Sequence, residues 1–297
     1  MTSRERVRAV LAHKKPDRLP FNFWMDRDLM AALDKRFGEN FRVNHYGADV
    51  IETFPAIHFE TDNPDPDDPR CYASIQADRA KYPDKALFAL QVTPLEILFG
   101  RVGLERLFCD MIDKPERMDE TLDCISRVLL RAVDHIAACD VDALYLAGDI
   151  CCTRGEMMSQ AMLRRFCFGP IKKLVDRAHA LDLPVLYHTD GRVANILPLF
   201  VEYGFDGINP LQASVNDTAA FARDYADKLI IYGGIDNCFI IPNGTTQQVR
   251  AHIRQLFDTL GRSGLIASSH DIPAHVPMEN LEAMVDEIKK CVGCSSL

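Results

Sequence analysis

The chain is predicted to fold as an α/β protein, a (β/α)8 TIM-type barrel with an N-terminal helical extension. From residue 85 onward, short apolar segments alternate with amphipathic segments of about 10–20 residues, a pattern typical of parallel strands joined by helices. Polar residues follow the predicted strands, and barrels of this type carry their chemistry there. The first predicted strand lacks the glycine-rich turn that usually marks a doubly wound sheet.

The predicted elements follow from apolar spacing and capping residues. Thr2 or Ser3 can cap a first helix, in which Val7, Val10 and Leu11 recur at helical spacing. Strands are predicted at 17–24, 85–92, 143–147, 184–187, 207–209, 229–232 and 265–267, and residues 49–54 form another short apolar run. Helices are predicted at 28–37, from Pro94 onward, and at 119–139, 159–181, 194–203, 218–225, 246–260 and 278–291.

Composition indicates one soluble domain covering residues 1–297. The hydrophobic and charged fractions, 47% and 26%, are ordinary for a globular protein. No linker-like tract interrupts the chain, and the proline- and aspartate-rich residues 61–70 are expected to form a surface loop. The net charge of −9 argues against nucleic-acid binding. The chain has no apolar run of about 18 residues and no apolar signal segment, so we expect a cytoplasmic protein that does not cross a membrane.

The ten cysteines are expected to be thiols in a reducing compartment. Most are scattered singly and are expected to act as small hydrophobic residues. Cys291 and Cys294 form one C-x-x-C pair near the end of the chain, which by itself is weak support for a metal site.

Polar residues at the ends of five predicted strands are the candidate site. They are Asp149, residues 188–191 (HTDG), residues 209–212 (NPLQ), residues 236–237 (DN) and residues 268–271 (SSHD). Asn209, Gln212 and Asp236 are expected to contact a substrate. For Asn209, Asp236, Ser268 and Ser269, helix capping or loop bonding is an equally weighted alternative.

His188, Asp190 and His270 are the strongest candidates for chemistry. His188 and Asp190 lie two residues apart at a strand end, so both side chains can point into the barrel mouth, and His270 follows the last strand. Two imidazoles and a carboxylate suit zinc or another divalent metal, and equally suit acid–base catalysis. Asp149 is expected to join them as a catalytic residue. A group containing Cys151, Cys152 or Cys167 remains open as an alternative source of metal ligands.

Several segments together resemble the uroporphyrinogen decarboxylase-like superfamily, which includes the decarboxylase and corrinoid- and coenzyme-M-linked methyltransferases. The resemblance covers nearly the whole chain. Its segments are 4–20 (RERVRAVLAHKKPDRLP), 149–155, 159–170, 186–191 (LYHTDG), 207–212 (GINPLQ), 233–236 (GGID), 269–273 (SHDIP) and 276–280 (VPMEN).

The resemblance places this chain closer to the methyltransferases than to the decarboxylase. It implies that a true decarboxylase has an arginine-rich segment near its N-terminus to bind porphyrinogen carboxylates. The equivalent residues 21–28 read FNFWMDRD, so Arg27 alone could serve as an anchor, with Trp24 as a second expected substrate contact. A porphyrinogen carries several carboxylates, and each one that is buried needs a cationic partner, so a single arginine argues against this substrate.

The resemblance also implies a zinc site in the methyltransferases, with a His-x-Cys pair and a later cysteine as ligands. Here Asp190 and His270 stand where those thiolates would be, next to His188. A nitrogen and oxygen ligand set is a harder Lewis acid and suits an oxygen substrate better than a thiol. We therefore expect a methyltransferase that moves a methyl group from a methoxylated or similar small substrate to a corrinoid carried by a partner protein.

Two other functions remain open from the sequence. One is a metal-free decarboxylase for a uroporphyrinogen-like or small carboxylic acid, using Asp, His and Arg side chains of the barrel mouth. The other is a binding module for a tetrapyrrole or corrinoid without catalysis. A homodimer is the default expectation for the quaternary structure.

Overall fold

Seven parallel strands form one sheet in the computed structural model, which describes residues 1–59, 64–261 and 264–292. The sheet has the order β1-β2-β3-β6-β7-β8-β9, and β4 and β5 form a separate antiparallel hairpin. The strands are β1 Val50–Thr53, β2 Ala86–Val92, β3 Ala143–Ala147, β4 Cys151–Cys152, β5 Gly155–Glu156, β6 Val185–His188, β7 Gly207–Asn209, β8 Ile230–Gly234 and β9 Leu265–Ser268.

Helices precede or connect the strands, as a parallel sheet requires. They are α1 Ser3–Leu11, α2 Arg27–Phe37, α3 Phe41–Asn44, α4 Ala73–Lys81, α5 Pro94–Val102, α6 Leu104–Asp113, α7 Pro115–Ala138, α8 Gln160–Met162, α9 Gly169–Ala180, α10 Leu197–Tyr203, α11 Thr218–Tyr225, α12 Ile240–Asn243, α13 Thr246–Leu260 and α14 Met278–Lys290. A 3-10 turn, Pro69–Tyr72, precedes α4.

One predicted helix needs correction, and several helices were not predicted, among them α4. The predicted helix at 159–181 is interrupted by a π-helical stretch, Leu163–Phe168, between α8 and α9. Helix α4 was not predicted, because Ile75 is its one fully buried residue and no apolar stripe marks it. Of the predicted surface loop at 61–70, residues 61–63 lie outside the described residues.

The predicted first strand at 17–24 is extended but is not a regular strand. Phe21 forms an isolated parallel bridge to Ala267 of β9, and Met25 forms one to Ile272, which follows β9. The carbonyl of Phe21 also accepts the N–H of Asp49, which directly precedes β1, at 2.8 Å. This segment therefore links the two edges of the curled seven-stranded sheet. In the described residues the curled sheet thus has seven regular strands and no eighth, and Pro20, which has no N–H, cannot donate to a ladder there.

The interior of the curled sheet is apolar at the amino ends of the strands. Val7 and Val10 of α1 pack there against inward-facing side chains, namely Val50, Ala86, Ala143, Ile230 and Ile266. One level higher, Phe88 and Tyr145 both meet the ring of Tyr232 edge to face. Polar side chains begin only above this aromatic level, so chemistry is confined to the carboxyl ends of the strands.

Buried aspartates anchor the amino ends of β1 and β3. Asp49 accepts hydrogen bonds from Arg6 at 2.7 Å and Arg18 at 2.8 Å, and Asp142 is contacted by three arginines. These ion pairs fasten α1 and its flanking segment to the bottom of the sheet. None of the helices in the described residues is long and apolar enough to cross a membrane.

Candidate functional site

Inward-facing polar side chains line the carboxyl end of the sheet. They come from five strands: Glu52 of β1, Tyr145 of β3, His188 of β6, Asn209 of β7 and Tyr232 of β8. For four of them, the residue two positions earlier in the same strand belongs to the apolar interior, as strand alternation requires: Val50, Ala143, Leu186 and Ile230. Asn209 lies directly opposite His188 in the neighbouring strand. The side chains therefore meet at one place although they are far apart in sequence.

The structure brings His188, Asp190 and His270 together. One potential ligand atom from each lies within 4.8 Å of those of the other two. The two imidazole centroids are 4.9 Å apart, and Nδ1 of His270 is 3.4 Å from Oδ2 of Asp190. His188 is largely buried, whereas Asp190 and His270 are partly exposed to the mouth. The trio can thus be reached from solvent and still has one side against the protein interior.

Asn209 fixes the orientation of the His188 ring. Its Nδ2 donates to the carbonyl of Tyr232, so its Oδ1 must face the other way, toward Nδ1 of His188 at 2.8 Å. Because Oδ1 is an acceptor, Nδ1 carries the hydrogen and Nε2 is left with its lone pair free. The hydroxyl of Tyr145 also donates to Oδ1 of Asn209 and lies 3.1 Å from Nδ1.

Asp149 adjoins the trio through both side chain and backbone. Its Oδ1 lies 3.9 Å from Nε2 of His188 and accepts the N–H of Asp190 at 3.1 Å. Its own N–H donates to Glu96 of α5 at 3.2 Å. The four residues that the sequence singled out as catalytic therefore share one corner of the mouth.

The trio fits a divalent metal by its chemistry and spacing. Two imidazole nitrogens and one carboxylate oxygen match a zinc site with an open position, and ligands around one zinc ion lie about 3.3–3.5 Å apart. The observed spread of up to 4.8 Å needs only small side-chain rotations. In the described part of the chain, no other group of three potential ligands is this close.

The cysteines considered as alternative ligands do not join this group. Cys167 is buried in the core, with its thiol 3.6 Å from the sulfur of Met158, and burial raises the pKa of Cys151 to about 12. Cys152 lies in the β4–β5 hairpin, where backbone N–H groups of Arg154 and Gly155 lower the pKa of its thiol. Cys294, the second residue of the C-x-x-C pair, lies outside the described residues.

Sequence reasoning missed a buried polar network below the trio. Glu52 accepts hydrogen bonds from the hydroxyl of Tyr232 and the indole N–H of Trp24. Arg42 donates to the carbonyl of Phe23 at 2.7 Å and stacks 4.3 Å from the Trp24 ring. Burial raises the pKa of Glu52 and lowers that of Arg42, while their opposite charges act against both shifts. The sequence signal for Glu52 was its position two residues after Val50 in β1, which places both side chains on the inner face of the sheet.

The predicted substrate contacts occupy different positions. Trp24 is held by Glu52, and with Arg27 it lines an open cleft of about 1130 Å³ beside β9. Gln212 accepts the N–H of Gly191 at 3.0 Å, which holds the loop after His188. Asp236 accepts the N–H groups of Cys238 and Phe239, so it bonds its own loop, as the capping alternative described.

His252 of α13 is partly buried, and its Nε2 accepts the N–H of Asp236 at 3.0 Å. Burial lowers the pKa of His252 below its ordinary value of 6.5. The folded state therefore keeps a neutral imidazole that the unfolded chain would protonate.

The contribution of His252 to the free energy of unfolding should therefore be fully present above pH 6.5. It should be lost as the pH falls below that value, because the unfolded chain then binds a proton that the folded state does not. In His252→Gln the side chain can still accept the Asp236 N–H but cannot be protonated. We expect urea midpoints at pH 7.5 and 5.5 to differ more for the wild type than for this variant. Equal differences would contradict the assignment.

Comparisons with known proteins agree with this architecture. The family model described as uroporphyrinogen decarboxylase (URO-D) matches residues 58–291, which is most of the chain. Two curated relatives are named methylcobamide:CoM methyltransferase MtbA. The protein from Methanosarcina acetivorans is 28% identical over 153 residues, and that from Methanosarcina mazei is 24% identical over 153 residues. Each match covers 52% of this chain but 41% of the relative.

A solved structure supports the fold over the full length. It is titled as a methyltransferase from Methanosarcina mazei, and it covers 98% of this chain and 99% of its own, with a TM-score of 0.75 and 16% sequence identity. The chain therefore belongs to the uroporphyrinogen decarboxylase (URO-D) family.

Proposed function

We propose that this protein is a methyltransferase that moves a methyl group from a small methoxylated substrate to a corrinoid carried by a partner protein. The observation that carries the proposal is the convergence of His188, Asp190 and His270 at the carboxyl end of the sheet. The names of the two curated relatives support the reaction class, although the matched stretch spans less than half of their length.

His188, Asp190 and His270 would hold zinc or another divalent metal. When bound there, such a metal supplies a Lewis acid for an ether oxygen. Asn209 keeps Nε2 of His188 directed at the site, and Asp190 supplies negative charge next to His270. The absence of a thiolate from this trio favours an oxygen substrate over a thiol.

The reaction breaks the bond between the methyl carbon and the ether oxygen. The electron pair stays with the oxygen, which takes up a proton and leaves as a hydroxyl, while the methyl group goes to reduced cobalt of the corrinoid. A histidine of the trio can hold that proton in a metal-free variant of the site, with Asp190 as its partner at 3.4 Å from His270.

We also propose that residues 20–25 take the place of an eighth strand and close the sheet into a barrel. Their hydrogen bonds to Ala267 of the last strand, β9, and to Asp49 before the first strand support this. In the closed barrel, solvent would reach the trio of His188, Asp190 and His270 from the carboxyl ends of the strands.

Zinc content and methyl transfer test the proposed function together. Purified protein loaded with zinc should retain about one equivalent per chain, and His188→Ala should retain much less. With chemically reduced cobalamin and a methoxylated aromatic donor, the wild type should form methylcobalamin, and His188→Ala should do so at least about a hundredfold more slowly.

His179→Ala is the matched control, because this histidine pairs with Asp206 on the outside of the barrel at 2.8 Å. It should keep both zinc and activity. Absence of retained zinc in the wild type would remove the Lewis-acid site. Carbon dioxide release from a carboxylic acid, without methyl transfer, would instead favour the decarboxylase.

A further inference from the structure

An apolar pocket opens next to the trio, between α5, α6 and the hairpin. Its volume is about 230 Å³, and its walls include Phe99, Phe108, Leu104 and Met157. An apolar cavity of about 150 Å³ is large enough to hold benzene. The pocket can therefore take one substituted ring or an aliphatic group of similar size.

Asp149 connects this pocket to the trio. It lines the polar end of the pocket, and its Oδ1 lies 3.9 Å from Nε2 of His188. It is also bonded to the backbone of Asp190. A molecule that fills the pocket would thus present its polar end to the residues that we propose to be catalytic.

The charge of the lining limits what can bind. Glu96 and Asp149 are the two carboxylates among the described residues that line the pocket, and no lysine, arginine or histidine is among them. Burial raises the pKa of Glu96, and the charge of Asp149 adds to this effect. A carboxylate ligand would have to lie beside these acidic groups without a counter-ion, which is unfavourable in an apolar setting.

The rim of the pocket is accessible from solvent. Phe99 and Leu104 are 37% and 38% exposed, and they flank the junction of α5 and α6. A small molecule can therefore enter between these two side chains without unfolding of the barrel.

We propose that this pocket binds the body of the methyl donor, and that the donor is a ring-sized methyl ether without an anionic group. This inference rests on the proposed function for the identity of the ligand as a methyl donor. Its physical content is a binding preference: apolar, ring-sized molecules with a neutral or cationic polar group are accepted, and carboxylates are rejected.

Binding measurements on matched probes test the inference without relying on turnover. The probes are 2-methoxybenzyl alcohol, 2-methoxybenzylamine and 2-methoxybenzoate, which share a ring, carry the methoxy group next to the variable group and differ in charge. By calorimetry or by protein-detected NMR on the full chain, the alcohol and the amine should bind at least about tenfold more tightly than the benzoate. Glu96→Gln should reduce the preference for the amine over the benzoate.

Filling the pocket provides the second arm. Leu104→Trp should weaken the binding of the alcohol and of the amine by at least about tenfold. Ile112→Trp is the matched control, since Ile112 lies on the same helix, is 71% exposed and does not line the pocket. It should leave binding unchanged.

Each outcome decides the inference. Benzoate binding as tight as that of the amine, no binding by any probe, or binding that Leu104→Trp does not weaken would overturn it. If the binding preference holds but no donor is demethylated, the pocket stands and the proposed function fails. If methyl transfer occurs equally well from the benzoate, the proposed function stands and the inference fails.

Discussion

Replacing Asp142 by alanine is expected to lower the free energy of unfolding by about 3–5 kcal/mol, the largest effect of any single change considered for this protein. The carboxylate is fully buried and accepts hydrogen bonds from Arg4, Arg8 and Arg79 and from the N–H of Leu87. Its removal leaves three guanidinium groups facing one another at the bottom of the sheet and an unpaired N–H in β2. Urea unfolding monitored by circular dichroism measures the loss.

Asp140→Asn provides the control for this effect, because asparagine tolerates the left-handed backbone of this residue (φ 57°) and removes only the charge. Asp140 pairs with Arg4 at 2.6 Å, yet its side chain is 61% exposed. Solvent screens such a pair, so this variant should lose about 1 kcal/mol or less. Similar losses in the two variants would show that burial of Asp142 does not determine its contribution.

Replacing Asn209 by leucine is expected to weaken zinc binding about 10–100-fold, because side chains that hydrogen-bond to metal-bound histidines typically contribute this much. The leucine side chain is similar in size but cannot accept the hydrogen bond from Nδ1 of His188. The imidazole then loses the contact that leaves Nε2 free for the site. Competition with a chromophoric chelator measures the affinity.

Asn237→Ala is the matched control for Asn209→Leu. Asn237 follows the neighbouring strand β8 and donates to the carbonyl of Asp271 at 3.1 Å, without contact to His188. It should bind zinc like the wild type. If Asn209 acts through His188, adding Asn209→Leu to His188→Ala should cause no further loss of zinc affinity. A further loss of the same size in the double variant would contradict this positioning role.

The amino ends of the strands carry residues that stabilise the fold, whereas the carboxyl ends carry the residues of the candidate site. Asp142 and Asp49 lie at the amino ends of strands, where arginines from α1 and its surroundings satisfy them. Asn209 and His188 lie at the carboxyl ends, where polar groups remain partly open to solvent. Changes at the bottom should therefore alter stability, whereas changes at the mouth should alter metal binding and turnover.

The location of the candidate site could be inferred from local sequence patterns. The strand before His188 is apolar, and the two-residue spacing to Asp190 places both residues after it, whereas His270 follows the last apolar strand. Parallel strands gather their carboxyl ends at one edge, so strand-end residues were expected to lie near one another. Helices α11 and α13, which are capped at their N-termini by Asp217 and Thr245, have the predicted bounds.

Residues inside the strands were harder to assign. Glu52, Tyr145 and Tyr232 lie within apolar segments, and nothing in those segments indicates that their polar atoms would find partners on other strands. Their partners are as far as 210 residues away in sequence, as between Tyr232 and Asn22. The same reason hid the role of His252, whose position on a helix indicated solvent while tertiary packing partly buried it against Asp236.

Periodicity, capping and strand-end composition were thus sufficient to identify the alternating strands and helices and the corner in which chemistry should be sought. Three-dimensional packing alone decided the tautomer of His188, the irregular path of residues 17–25, the burial of Glu52 and the pocket beside Asp149. The physical reason is the separation along the sequence between the residues that interact. Helix and strand formation depend on neighbours within a few residues, whereas hydrogen-bond partners, burial and cavity shape depend on segments that meet only after the sheet has curled.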